Sequence, residues 1–307
     1  MFLGDDFHHN GAFRLSYAFE YVYLVEKNKG SLSLFPFPDY DVFEWYLNLG
    51  GLSNVNEKYF NNKFQSWNDF ADHPNYDYYW KQQSSLTNIN KPEIPILHVG
   101  GYYDPEDLMG PQAMYEHLEK NDDFNNNYLV LGPWNHGQWR VDKGNSLGKI
   151  KFGSDTSDWF LDYEKKWFDY WLKGIGNGKF DEVYAFQTGS NKWKSYESWP
   201  PKNAITKRLY IHSDLTNSFI QPEKEIGFIS YTSDPKKPIP YRKRPIESTF
   251  TSTSKWSSWL VEDQRFVSSR PDVLIFTSNV LKEDITATGK VKAFINFSTT
   301  ASDADVV

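Results

Sequence analysis

Two short apolar runs on either side of a helix leave few folds open to this chain. Ile94-Pro95-Ile96-Leu97-His98-Val99 stops at Gly100-Gly101, and Tyr128-Leu129-Val130-Leu131 stops at Gly132. Neither run alternates, which is the texture of parallel strands buried on both faces. Between them, Gly110-Pro111 leads into a helical stretch over Gln112–Lys120, with Pro111 suited to its first turn, and Asn125–Asn127 breaks the chain. Strand, helix and strand in that order form a βαβ unit, right-handed by default. Open α/β sheets carry their chemistry beyond the carboxyl ends of the strands. The loops after Gly101 and Gly132 are therefore where site residues are expected.

The flanking sequence fits around that unit. Phe13, Leu15, Ala18, Phe19 and Val22 predict an amphipathic helix within residues 12–30. Residues 31–93, rich in Tyr, Trp, Phe, Asn and Asp with several prolines, read as the short helices and loops of a cap. Residues 158–174 predict a strong helix with Phe160, Tyr163, Trp167, Tyr170 and Trp171 on one face, Lys173 at the end its charge favours, and Gly174 as its C-cap. After Trp199-Pro200-Pro201 the texture turns to β: Arg208–His212, Glu225–Tyr231, Asp272–Thr277 and Lys290–Phe297 predict strands of an antiparallel sandwich. The expected fold class is α/β followed by all-β, with domains over 1–200 and 201–307.

Composition narrows the function. A chain of 307 residues has room for two domains. Its net charge of −7 without a basic block argues against nucleic acid and anionic membrane surfaces as partners. Cysteine is absent, which removes disulfides, thiol catalysis and Cys-based zinc sites. No stretch approaches the roughly 18 apolar residues of a membrane span. The first residues, MFLGDDFHHNGAF, lack the basic and apolar regions of a signal peptide and read like the middle of a protein. The end, INFSTTASDADVV, interrupts a strand-like alternation, so a fragment cut at both ends is expected.

The two loops hold candidate catalytic groups. Asp104 follows the first strand and His136 the second, so neighbouring strand ends would bring a carboxylate to an imidazole. In α/β-hydrolases the triad runs serine, acid, histidine along the chain, so the nucleophile should precede Asp104. The one G-x-S-x-G match, Gly144–Gly148, follows the histidine and has no buried strand before it; it reads as a loop. Asp104-Pro105-Glu106-Asp107 admits two readings: an acidic helix start with Asp104 as N-cap, or carboxylates gathered to meet a cation. The oxygen spacing of an EF-hand calcium loop is absent. His8 and His9 are adjacent, so on an extended chain they point to opposite faces and do not converge on a metal. No metal and no cofactor are expected. Trp256 and Trp259 suit packing better than a carbohydrate-binding face.

Three stretches carry a more specific signal: Gly4-Asp5-Asp6-Phe7-His8-His9-Asn10-Gly11-Ala12-Phe13, Gly100-Gly101-Tyr102-Tyr103-Asp104-Pro105-Glu106-Asp107 and Leu131–Gly137. They closely resemble the α-amino acid ester hydrolases, which are grouped with glutaryl-7-aminocephalosporanic acid acylases, cocaine esterase and X-Pro dipeptidyl-peptidases. Glu262–Arg265, Arg270–Leu274 and Ala301–Asp305 are similar to the jelly-roll signatures of the same group. The resemblance implies the C-terminal part of an α/β-hydrolase domain with a helical cap, then a jelly roll incomplete at its C-terminus. It implies Asp104 as triad acid, His136 as triad base, and Asp5, Glu106 and Asp107 as the carboxylates that receive a substrate's α-ammonium group. It implies a small-molecule amino acid ester, amide or β-lactam as substrate and homo-oligomeric assembly. The family's serine elbow and oxyanion tyrosine would lie upstream of Met1, so the isolated chain is expected to be nearly inactive. A broader acylase or dipeptidyl-peptidase specificity is the alternative.

Overall fold

The computed structural model describes residues 6–9, 11–28, 30–223, 227–302 and 304. The chain groups into two units, one of residues 1–198, 245–262 and 295–307, the other of 199–244 and 263–294.

In the first unit, β1 (His8–His9) pairs antiparallel with β2 (Ala12–Phe13) and leads into α1 (Leu15–Glu26). α1 buries Tyr17, Ala18, Phe19, Glu20 and Val22. Phe19 anchors an aromatic core, with the rings of Phe35, Trp45 and Phe60 centred 4.8, 5.1 and 4.8 Å away. Short helices complete the region: α2 (Val42–Leu49), α3 (Ser53–Val55), α4 (Gln65–Asp72), α5 (Tyr78–Gln83) and α6 (Ser85–Asn88). Asp41 and Asp77 start α2 and α5 by accepting from the backbone N–H of Phe43 and Tyr79. The same abundance of Asp and Asn keeps these helices short, because their side chains compete for backbone groups.

The expected βαβ unit is present. β3 (Ile96–Gly101) and β4 (Asn127–Gly132) run parallel from Ile96↔Asn127 to Gly101↔Gly132, with α7 (Gly110–Leu118) between them in sequence. Pro111 occupies the first turn of α7, as its spacing predicts. His98 meets the side-chain oxygen of Asn127 at 3.0 Å, a satisfied strand residue. A small hairpin, β5 (Ser146–Leu147) and β6 (Ile150–Lys151), begins within the G-x-S-x-G match Gly144–Gly148 and has no helix directly after it. α8 (Thr156–Lys173) follows and ends at Gly174 with φ 68°, the left-handed cap that glycine adopts without strain. α8 buries Phe160, Tyr163 and Trp167 against Tyr128, Val130 and Trp134, while Trp171 is half-exposed. β7 (Val183–Gln187) adds parallel to β4 and β8 (Lys192–Tyr196) antiparallel to β7, giving the order β3-β4-β7-β8. β4 is buried along its whole length, which accounts for its unbroken apolar run.

The second unit contains a three-stranded sheet of β9 (Tyr210–Ile211), β10 (Thr216–Ser218) and β11 (Thr277–Ser278). It differs from the predicted strands. Only two residues of 208–212 are extended and paired, only Thr277 of 272–277, and the described part of 225–231 and residues 290–297 are irregular. Phe228, Val291 and Phe294 are 89%, 92% and 87% exposed. Alternation marks a face that a second sheet must cover, and the described residues set no such layer over these side chains.

Candidate active site

The carboxyl ends of β3 and β4 are tied together before either loop begins. Tyr102 N–H donates to the Gly132 carbonyl at 2.9 Å and Tyr103 N–H to that of Trp134 at 3.0 Å. A Cβ on Gly101 would lie 2.3 Å from the Trp134 carbonyl oxygen, so only glycine permits this approach. Trp134 is fully buried and its indole N–H donates to Thr156 Oγ1 at 2.8 Å. Gln138, also buried, accepts from Asn135 N–H at 3.2 Å and donates to the Ser146 carbonyl at 3.0 Å. The loop bearing His136 is thus fixed on both sides.

The structure brings Asp104 and His136 together: Asp104 Oδ2 lies 3.1 Å from His136 Nδ1. The other oxygen, Oδ1, accepts from the backbone N–H groups of Glu106 and Asp107 at 2.8 and 3.0 Å. These are the cap hydrogen bonds that the acidic stretch predicts, but they close a turn over 105–107, and α7 begins only at Gly110. Asp104 is buried, so its two oxygens are divided between holding the turn and facing the ring. With Nδ1 donating to Asp104, Nε2 is left as the proton acceptor of a neutral ring.

Glu106 and Asp107 complete the cluster, with Glu106 Oε2 3.6 Å from His136 Nε2 and Asp107 Oδ2 3.5 Å from Nδ1. Asp5 lies outside the described residues. Its neighbour Asp6 has φ 60° and donates its backbone N–H to the Glu106 carbonyl at 2.8 Å. Burial, then the charges of Glu106 and Asp107, push the Asp6 carboxyl up to about 6. Burial and the charge of Asp104 also raise Asp107. The hydrogen bond to Asp104, with the charges of Asp104, Glu106 and Asp107, pushes His136 up to about 9 against the opposing effect of burial. The ligand atoms of Asp104, Asp107 and His136 lie within 4.8 Å of one another, close enough to hold a metal ion. Oδ2 and Nδ1, however, already serve the Asp104–His136 contact.

Sequence reasoning missed three neighbours. Tyr17 donates its hydroxyl to Glu106 Oε1, and burial and that bond hold the phenol far above its ordinary range. Arg14 donates to the Asp6 carbonyl at 2.7 Å and lies 4.4 Å over the Tyr17 ring. Trp256 presents its ring to His136, centroids 5.7 Å apart at 66°. The spacing of Arg14, just before α1, with Tyr17 and Tyr21 on it marks a second, polar-tipped face that the apolar count passed over. Around the ring lies a cleft of ≈ 370 Å³ lined by Val99, Gly100, Asp107, Pro111, His136 and Trp139, among others.

Two family models match. Residues 5–138 fit the X-Pro dipeptidyl-peptidase (S15 family) model, and residues 178–307 the X-Pro dipeptidyl-peptidase C-terminal non-catalytic domain. An aminopeptidase from a marine sediment archaeon, Thaumarchaeota archaeon, superposes with a TM-score of 0.87 at 36% identity, over 92% of this chain and 46% of its own. An α-amino acid ester hydrolase superposes with a TM-score of 0.86 at 31% identity, over 94% of this chain and 48% of its own. Cocaine esterase from Rhodococcus sp. (strain MB1 Bresler) is 26% identical over 251 residues, 76% of this chain and 41% of the esterase. The chain spans about half the length of these relatives or less. With an α/β sheet part matched by one model and the C-terminal part by the other, the chain belongs to the X-Pro dipeptidyl-peptidase (S15) and cocaine esterase family of serine hydrolases.

Proposed function

We propose that this chain provides the acid, the base and the substrate-ammonium site of a serine hydrolase acting on esters or amides of α-amino acids. The observation that carries the reading is the divided Asp104 carboxylate, which faces His136 with one oxygen and with the other closes the turn presenting Glu106 and Asp107. Asp104 holds the Nδ1–H tautomer, and His136 Nε2 takes the proton of an attacking seryl hydroxyl and later passes it to the leaving group. Asp6, Glu106 and Asp107 receive the free α-ammonium of the substrate, with Asp5 assigned to the same group by resemblance. The seryl hydroxyl is one that these 307 residues do not supply in the strand–turn–helix setting it needs. In this reading residues 1–200 are part of an α/β-hydrolase domain, with a cap over about 14–93 and the acid–base region over 94–150, and residues 201–307 belong to a jelly-roll domain. The match to the C-terminal family model supports the last assignment.

An acylase selecting a glutaryl side chain would bring a carboxylate to this carboxylate cluster, so the electrostatics favour a free amine. Amino esters and dipeptides both have one, and an X-Pro dipeptidyl-peptidase specificity is the second reading supported by the matching models. The test is binding of phenylglycine methyl ester and of its N-acetyl derivative to the chain, followed by calorimetry. Binding of the free amine alone, weakened in Asp107→Asn, is the expected result; equal binding of both esters refutes the ammonium site.

A further inference from the structure

Residues 245–262 return from the C-terminal part of the chain to join the first unit. What holds them is a carboxylate in the middle of α1. Glu20 is 4% exposed, and four donors converge on it. Tyr46 Oη and Thr249 Oγ1 donate to Oε1 at 3.0 Å each, and Ser248 Oγ and Thr249 N–H donate to Oε2 at 2.7 and 2.6 Å. A buried carboxylate is costly unless it is fully hydrogen-bonded, and an apolar residue would pack here more cheaply. Three of the four donors belong to the returning segment, so the polar side chain sits where it secures that segment. A second tie lies beside it: Asp41 Oδ1 accepts from Ile246 N–H at 3.0 Å, and Val42 N–H donates to the Ile246 carbonyl at 2.9 Å.

Beyond these ties the segment reaches the site at two points. Phe250 packs against Tyr17 and Tyr21, centroids 5.7 and 5.9 Å away, and Tyr17 is the donor to Glu106. Trp256 meets the His136 ring. Its own backbone N–H donates to the buried Ser254 Oγ at 3.2 Å. His136 is the more exposed member of its pair, so an aromatic neighbour limits the rotation that Asp104 alone restrains from one side.

We propose that Glu20 is a positioning residue of this site, clamping residues 246–256 so that Trp256 rests on His136 and Phe250 on Tyr17. The inference rests on the reading of Asp104 and His136 as the acid–base pair. The test uses the full chain with ¹³C-labelled histidine and follows the His136 ring signals, which feel the ring current of Trp256. Trp256→Leu sets the signal position of an unsupported ring. In Glu20→Gln one of the two acceptor oxygens becomes an NH2, so two hydroxyls must reverse to accept or lose their partner; the His136 signals are expected to move toward the Trp256→Leu position, while those of His73, stacked on Tyr79 at 4.3 Å, stay as a control. Should Glu20→Gln fail to fold, the Ser248→Ala/Thr249→Val double variant removes two hydroxyl donors and keeps the carboxylate; it is expected to shift the same signals by less. Native His136 signals in a folded variant of either kind overturn the proposal. A His136 that titrates at its ordinary value in the unaltered chain overturns instead the acid–base reading, and the two failures are separate measurements.

Discussion

Asp104→Asn preserves the shape of the side chain and removes its charge, so it separates the electrostatics of the Asp104–His136 pair from its packing. In the unaltered chain His136 stands at about 9 against an ordinary 6.5. At about 1.36 kcal/mol per pH unit, that rise corresponds to ~3 kcal/mol of preference for the imidazolium. The ring is 41% exposed, and solvent screening leaves about 1 kcal/mol as the expected contribution to folding. A group whose pKa is higher folded than unfolded gives stability that is complete below its unfolded value and lost as pH rises through its folded value. The window for His136 therefore opens near 6.5 and closes near 9. Asparagine still offers one oxygen to the Glu106 and Asp107 amides, so the turn survives. His136 should then titrate well below its present value, held up only by Glu106 and Asp107, and the loss of stability across the window should shrink. The assay is NMR titration of ¹³C-labelled histidine, with urea unfolding at about pH 6 and about pH 9.5. An unaltered chain whose His136 titrates near 6.5, or an Asp104→Asn chain whose His136 does not move, refutes the reasoning.

Other outcomes are open to measurement. Asp6, pushed up to about 6 from 3.8, withdraws stability across a lower window as pH rises, and Asp6→Asn should remove that slope while leaving the His136 window in place; Asn suits the φ of 60° there. Phenylglycine methyl ester should lower the His136 pKa, because its ammonium offsets the carboxylates that raise it, and the N-acetyl ester should not; NMR titration with each ligand decides. Gly101→Ala should cost about 1–3 kcal/mol in urea unfolding, since its Cβ meets backbone and not a movable side chain. Tyr17→Phe should cost about 1–3 kcal/mol by the same assay, from a Glu106 oxygen that loses its donor.

What the sequence revealed followed from how local each signal is. The β3–α7–β4 unit was legible because strand burial, a Pro at a helix start and a glycine at each strand end are each encoded within a few residues. The meeting of Asp104 and His136 followed from that topology, since parallel neighbours bring their carboxyl ends together. The acidic stretch read as a helix start closes a turn instead, with α7 beginning only at Gly110, and the same Asp104 carboxylate faces His136 with its other oxygen. Tyr17 and Trp256 were not legible as site neighbours. Each is typical of an aromatic core, and the contact of Trp256 with His136 spans 120 positions that no local pattern bridges. The strands predicted after residue 205 are present only as short pieces for a related reason: apolar alternation describes a face in need of cover, and cover is supplied by distant chain.

The charges around His136 make a further point about the free site. Asp6, Asp104, Glu106 and Asp107 bring four carboxyl groups to a region where, among the described residues, Arg14 and His136 are cationic groups that feel them. Arg14 directs a hydrogen bond to the Asp6 backbone carbonyl, and burial lowers its own pKa. The hydrogen bond to Asp104, with the charges of Asp104, Glu106 and Asp107, favours a proton on His136 and pushes it up to about 9. A base that is protonated at neutral pH cannot accept a proton, so the free site is poised against the role proposed for it. A cation entering beside Glu106 and Asp107 reverses that balance, since it stabilises the carboxylates and lowers the affinity of the imidazole for its proton. In the proposed reading the substrate's own ammonium supplies that cation. Specificity for a free amine would then be set in the protonation of His136 as well as in binding, and an acylated amine would lose on both counts.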